Sequence, residues 1–326
     1  MQLVVRKPAN RHVSHDTVEE LEQAILRDFR VAPATLPRII EDAAGAATRL
    51  ARKAGLNPGR LIGAHKRHSR EKDPRHSYFA VMMDRDAGRI APWFARDARK
   101  SVYMFDAWPA KHREILDFVD SWGIQYSFVS SSQAAARLNA VSEHCTFIWV
   151  AEGVDPGSYR RRSVIERDID VLQLGRKHDV HHSLIAPALE ATGKVYRYEK
   201  EKGSLVFPTR AEFIDGLSRS KISICVPSSV THPRRAGDIE TMTTRYLQSM
   251  ASKCLVLGHA PAEMVELFGY NPVIEIDESS PAEQVLDLLA NYESCIPLIE
   301  KNYAAVTSGH TWDHRWERIA TVLFPT

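Results

Sequence analysis

From Leu3 to Ile276, short apolar runs alternate with stretches patterned at helical period. No other feature limits the fold as much. Strands buried on both faces read as near-continuous apolar runs, and such strands belong to parallel sheets with helices on either side. Ser77–Met83 (SYFAVMM), Ser101–Phe105 (SVYMF), Ile124–Ser130 and Thr146–Ala151 have this character in the first half. Asp170–Leu174, Lys194–Tyr198, Ile222–Pro227, Leu255–Gly258 and Val273–Ile276 have it in the second, and Leu3–Arg6 is a shorter candidate. Helical patterns fill the gaps. Asp16–Phe29 opens with the capping-box pair Asp16 and Glu19 and places Val18, Leu21, Ile25 and Phe29 at helical spacing. Leu36–Ala54 follows, then Ala110–Trp122 (closed by Gly123) and Ser132–Ala140. The second half adds a helix near His181–Thr192, then Arg210–Ser220, Thr243–Ser252 and Ala262–Phe268. Ser280, Pro281 and Glu283 start one more, which runs to Tyr292.

The chain has 326 residues, which at ~150 residues per domain suggests two. Gly153–Arg167 (GVDPGSYRRRSVIER) is polar and Arg-rich and reads as the linker. We therefore expect domains at 1–160 and 161–308. With 44% hydrophobic residues, disordered, collagen-like and coiled-coil classes are excluded. No run approaches ~18 consecutive apolar residues, and residues 1–7 are too short in apolar content for a secretory signal. Cys145, Cys225, Cys254 and Cys295 are scattered without a CxxC pair, so a reduced, cytoplasmic setting is the expectation.

In open α/β sheets, chemistry sits in the loops beyond the carboxyl ends of strands. Gly175, Arg176 and Lys177 directly follow an apolar strand. They read either as a diphosphate clamp, with a fork from Arg and a point charge from Lys, or as a solvated basic turn. Ser228–Met242 is long for a loop inside a compact domain, a length that favours a functional role. It leads into a helix through Thr241, Thr243 and Thr244, a start suited to an anion or simply to a Thr N-cap. Glu240 and Gln248 are eight apart, and Arg245 and Gln248 share a helix face. That face suits a phosphate and a ribose, or is merely exposed. Asp168 and Asp170 form Asp-x-Asp, but at the mouth of an apolar strand they read as a strand start. His178, His181 and His182 have a spacing that a zinc site could use. Without a companion Cys or Glu they read as a solvated helix start. GxGxxG, P-loop and GxSxG motifs are absent.

Taken in order, these motifs resemble the group 1, family 4-like glycosyltransferases of the GT-B fold, over roughly residues 145–320. Gly153-Val154-Asp155-Pro156 with Tyr159 resembles the family's "GVD…F" signature. Gly175-Arg176-Lys177 stands where its donor-diphosphate Arg/Lys stand. Phe207–Ser228 resembles the segment ending in a "PS" strand, and Glu240–Gly258 the E-x7-E region. Thr311-Trp312 with Arg315-Trp316 resembles the closing "sW..R" helix. Arg245-Tyr246-Leu247-Gln248 is nearest to the spore-maturation glycosyltransferase branch. The resemblance implies an α/β protein of two Rossmann-like domains facing across a cleft. The first would be an acceptor domain, the second a nucleotide-sugar donor domain, and 309–326 a helix crossing back to the first. It implies a retaining transfer from a nucleotide-diphosphate sugar with no metal and no cofactor. Arg176 and Lys177 would then neutralise the leaving diphosphate, helped by Gly175, Ser228, Thr244 and the start of its helix. Arg245 would bind phosphate or orient Glu240, Glu240 would hold donor-sugar hydroxyls, and Gln248 the ribose. Gln248 departs from the family's second Glu. Asp106, after Ser101–Phe105 and beside Trp108, is the candidate acceptor contact or base, or else an N-cap.

A non-catalytic nucleotide- or sugar-binding protein of the same fold is the alternative. The formal net charge is only +2, yet residues 52–75 carry Arg52, Lys53, Arg60, Lys66, Arg67, Arg70, Lys72 and Arg75 against Glu71 and Asp73. This island reads as a solvated loop, or as a docking surface for an anionic acceptor or the inner face of a membrane. A basic patch without a recognition motif gives no ground to expect nucleic acid.

Overall fold

The computed structural model describes residues 1–5, 15–64, 77–83, 87–175, 177–201 and 203–325. They divide into two compact units. One comprises His15–Ala151 and Arg315–Thr326 with the N-terminal strand, and the other comprises Glu152–His314. Each is built on a wholly parallel sheet. Most of the basic island, including Lys66, Arg67, Arg70, Lys72 and Arg75, lies outside the described residues, and so does Arg176. Among the described residues no helix is long and apolar enough to cross a membrane.

The first unit runs β1 (Gln2–Leu3), α1 (Asp16–Leu26), β2 (Ala32–Pro33), α2 (Arg38–Lys53), α3 (Pro58–Leu61), β3 (Ser77–Met82), α4 (Ala87–Phe94), β4 (Arg99–Met104), α5 (His112–Trp122), β5 (Tyr126–Val129), α6 (Ser132–Asn139) and β6 (Thr146–Trp149). Its strand order is β2-β1-β3-β4-β5-β6. The expected strand Leu3–Arg6 is only Gln2–Leu3, and β2 and α4 lack a counterpart in the apolar pattern. Two residues of β2, one of them proline, give no periodicity, and Pro92 inside α4 masks a helix. Arg89 and Lys100 bond to carbonyls of the interior. Arg89 of α4 donates to the carbonyls of Val4 (3.2 Å) and Val81 and pairs with Glu22 at 3.1 Å, tying the ends of β1 and β3 together. Lys100, fully buried, donates to the carbonyls of Ala64 (3.0 Å) and Trp122 (3.1 Å), the latter at the carboxyl end of α5, where a cation is favoured.

The second unit runs β7 (Ile169–Gln173), α7 (Asp179–Ala191), β8 (Tyr196–Tyr198), α8 (Arg210–Ser218), β9 (Ser220–Cys225), α9 (Ser228–Thr231), α10 (Pro233–Ala236), α11 (Thr244–Ala251), β10 (Leu255–Gly258), α12 (Ala262–Phe268), β11 (Ile274–Glu275), α13 (Pro281–Ala290) and α14 (Ile296–Gly309). Helix α15 (Trp312–Leu323) follows, most of it in the first unit. There Trp316 donates from Nε1 to Asp28 (2.9 Å) and sets its ring edge against Phe79 (5.9 Å). The guanidinium of Arg30, with smaller help from Trp316, holds the Asp28 carboxyl down to about 2. The second sheet has the order β11-β10-β9-β7-β8. Its core gathers Val171, Ile185, Leu189, Ile222, Ile224, Leu255 and Leu257. Asp168 and Asp170 serve as a strand start. Asp168 grips Arg219, while Asp170 accepts from Lys221 and the Val195 amide. The expected loop Ser228–Met242 contains the single-turn helices α9 and α10. Pro233 at the first turn of α10 starts a turn too short for periodicity to register.

His181 corrects the expectation of a solvated helix start. It lies on the inner face of α7, 2% exposed, with neither ring nitrogen hydrogen-bonded. Burial, aided by repulsion from His178 and His182, lowers its pKa to about 4. Among the described residues no group of three or more His, Cys, Asp or Glu side chains gathers as metal ligands do. All four cysteines are free thiols, and burial pushes Cys145 up to about 12 and Cys254 to about 11.

β10 lies so close to β9 that a Cβ on Gly258 would stand 1.7 Å from the Cys225 carbonyl oxygen. Because the obstacle is backbone, Gly258→Ala should destabilise the second unit by at least about 3 kcal/mol, measured by urea unfolding. His181 should confer a pH dependence. The unfolded imidazole takes a proton near 6.5 and the folded one only near 4. Its contribution is therefore complete above pH 6.5 and falls as pH drops towards 4, by up to about 3 kcal/mol. Urea midpoints of wild type and His181→Leu at pH 7 and 4.5 should show the loss between the two pH values largely abolished in the variant.

Candidate functional site

In the second sheet, strand order reverses between β7 and β9, and in open parallel sheets such a switch point opens a crevice at the carboxyl ends. Two loops leave that point, one after Gln173 and one after Cys225. In the first, Gly175 has φ +68°, and a Cβ there would meet the Arg245 guanidinium at 3.0 Å. Arg245, from the first turn of α11, donates from Nη1 to the Leu174 carbonyl at 2.8 Å. The turn after β7 and the start of α11 are thus joined directly. Lys177 continues that turn and lies over the Tyr198 ring at 5.0 Å. Tyr198 packs on His182 and Tyr196, and the Tyr196 hydroxyl donates to Gln173 at 2.7 Å.

The start of α11 is shaped by carboxylates. Thr244 donates its amide (2.6 Å) and its hydroxyl to Glu152 Oε2, and both residues are buried. Met242 donates its amide to buried Glu263 at 2.9 Å. These bonds set the path of 239–244, whose Ile239, Thr241 and Met242 are buried. Glu240 is the member of that segment whose side chain stays one-third exposed. Gln248, one helical turn beyond Thr244, is buried on α11, and Ser228 is buried where α9 begins.

Glu240 lies 3.3 Å from Nε2 of His259, and Nδ1 of the same ring lies 3.1 Å from Glu275 Oε2. Sequence reading missed His259, Glu275, Glu152 and Glu263, because none stands in a motif spacing. One signal was available: His259 directly follows an apolar strand, where chemistry was being sought. The second unit therefore brings Gly175, Lys177, Ser228, Glu240, Thr244, Arg245 and Gln248 to the carboxyl edge of its sheet or onto α11, the helix that starts there. Asp106 belongs to the first unit. It directly follows β4 and Phe105, with φ +52°, a conformation that costs a non-glycine residue free energy and recurs at functional sites. It borders a small, half-open pocket lined also by Met82, Met83, Met104, Lys111 and Ile115.

No protein-family model and no curated protein matches the sequence. Solved structures do match. Anabaena Alr3699/HepE in complex with UDP and glucose is 11% identical, with a TM-score of 0.59 over 99% of each chain. Sucrose-phosphate synthase from Thermosynechococcus elongatus is 10% identical, with a TM-score of 0.54 over 76% of this chain and 72% of its own. TarM is 10% identical with the same TM-score, and the match spans 78% of this chain but only 56% of TarM. With two parallel α/β sheets and these structural neighbours, the chain has the GT-B fold.

Proposed function

We propose that the protein transfers a sugar from a nucleotide-diphosphate sugar to an acceptor, as a metal-independent, retaining glycosyltransferase. Fold alone does not establish an activity. The observation that carries the reading is the direct joining of the glycine turn after β7 to the first turn of α11 through Arg245, at the switch point of the second sheet. Exposed amides of a tight turn beside a cationic side chain suit a diphosphate. The structural neighbour solved with UDP and glucose supports the same ligand class.

In this reading Arg176 and Lys177 meet the charge that develops on the leaving diphosphate, with Gly175 letting the backbone approach. Such fixed charges, aimed where charge appears in the transition state, lower the barrier. Ser228 borders the phosphates from the other loop. Arg245 holds the turn in shape through Leu174. Thr244, its donors engaged by Glu152, acts by anchoring the start of α11. Glu240 receives donor-sugar hydroxyls and Gln248 the ribose, where an amide both donates and accepts. Asp106 contacts the acceptor or takes its proton. On the first unit, Ile39, Leu50 and Leu61 are exposed alongside Arg52, Lys53 and Arg60, a mixture suited to an anionic membrane surface that presents the acceptor.

A nucleoside diphosphate present at about 100 times its Kd should stabilise the fold by about 2.7 kcal/mol and raise the melting temperature by several degrees. No response to UDP, GDP, ADP or dTDP, or to their glucose or mannose conjugates, would sink the donor-site reading. Arg176→Ala should lower transfer at least about 100-fold while the fold melts as before. Binding of a donor with neither transfer nor hydrolysis by the wild type would leave a non-catalytic binding protein. Vesicles containing phosphatidylserine should co-sediment the wild type, and Leu50→Glu/Arg52→Glu should weaken this at least tenfold. Equal sedimentation of both would remove the membrane contact.

A further inference from the structure

The two side-chain pairs of the Glu240–His259–Glu275 line add little to the stability of the fold, since their members are one-third to one-half exposed. Exposed ion pairs contribute little to stability. Its construction is nevertheless specific. The His259 backbone is fixed on both sides: its amide donates to the Cys225 carbonyl at 3.1 Å, and its carbonyl accepts from the Tyr246 hydroxyl at 2.7 Å. Gly258 before it allows the close strand approach that puts the ring there. Glu275, at the carboxyl end of β11, is fixed in turn. Its Oε1 accepts from the Ala260 amide (3.1 Å) and from Asn271 Nδ2 (3.0 Å), leaving Oε2 for His259 Nδ1. The segment leading into α11 and the ends of strands β10 and β11 thus bring Glu240, His259 and Glu275 together at one edge of the sheet. The ring cannot turn about its own axis without losing a carboxylate at each nitrogen. Second partners of this kind set the orientation of an imidazole and of the group it touches.

We propose that His259, clamped by Glu275, is a positioning residue that aims the Glu240 carboxylate at the sugar of the donor and so sets which sugar is accepted. The inference rests on the donor-site reading above and deepens it. In this assignment His259 acts on the donor through Glu240, so its effect falls on the sugar alone. This separates it from a structural role, which would weaken nucleotide and nucleotide sugar together.

The test uses the full chain and isothermal titration with two probes. One is the nucleoside diphosphate that stabilises the wild type most in the screen above, and the other is its preferred sugar conjugate. His259→Ala and Glu275→Gln should each weaken the sugar conjugate about tenfold and leave the diphosphate within twofold. The double variant should be no worse than His259→Ala, because the two residues act as one unit. His259→Gln, which keeps a side-chain N–H able to reach Glu240, should recover part of the loss. In turnover, KM for the donor should rise more than kcat falls. If His259→Ala melts well below the wild type, Glu275→Gln and His259→Gln carry the same comparison. Equal losses for both probes, or no loss for either, would overturn the role of His259 while the donor site stands. A wild type that binds neither probe would overturn the donor-site reading and this inference with it.

Discussion

Carboxylates bonded to backbone amides hold the carboxyl edge of the second sheet. A loop that leaves a parallel strand carries N–H groups with no ladder partner, and burying one unpaired costs free energy comparable to a lost hydrogen bond. Here Glu152 takes the amide of Thr244, Glu263 that of Met242 and Glu275 that of Ala260. Each bond replaces secondary structure where none can form. Together they give the segment before α11 and the turn after β10 a single shape. Glu240 and His259 inherit their positions from that shape. The glycine turn at Gly175 is fixed in the same manner by the opposite charge, Arg245 donating to the Leu174 carbonyl.

How much of this could be read from residues alone depends on how far apart the interacting groups lie in the chain. Buried parallel strands announce themselves as apolar runs, so β3 to β7, β9 and β10 were legible to within a residue or two. The signals at Ser280, Pro281 and Glu283 served the start of α13 equally well. Elements of about one period were not legible: β2, α3, α9 and α10 have too few residues to show a repeat. Pro92 hid α4 by breaking the propensity that marks a helix. Fold class emerged because alternation is a local property. Of the candidate site, Gly175, Lys177, Glu240, Thr244, Arg245 and Gln248 were nominated because resemblance to a family preserves spacing. Glu152, His259 and Glu275 were invisible because their meaning comes from contacts across 92, 19 and 16 residues of chain.

Helical geometry explains why His181 departs from its expected place. HxxHH at the start of a helix looks polar and solvated, yet the helical turn directs His181 into the core while His182 faces Tyr196 and Tyr198. Two adjacent histidines thus meet two different environments. Composition reports only what kind of groups are present. The angle of about 100° per helical residue decides where each one goes.

The last twelve residues hold a consequence for how the chain is made. The first unit is completed by Arg315–Thr326, with Trp316 against Phe79 and Asp28, and with Ile319 and Leu323 buried. A ribosome delivers the N-terminal segment first, but the piece that closes its core emerges only after the entire second unit. The nascent first unit must therefore spend the synthesis of roughly half the protein with Phe79 and its neighbours short of their final cover. The second unit, contiguous in sequence from Glu152 to His314, can fold as it appears. Order of synthesis and order of completion are reversed in this chain.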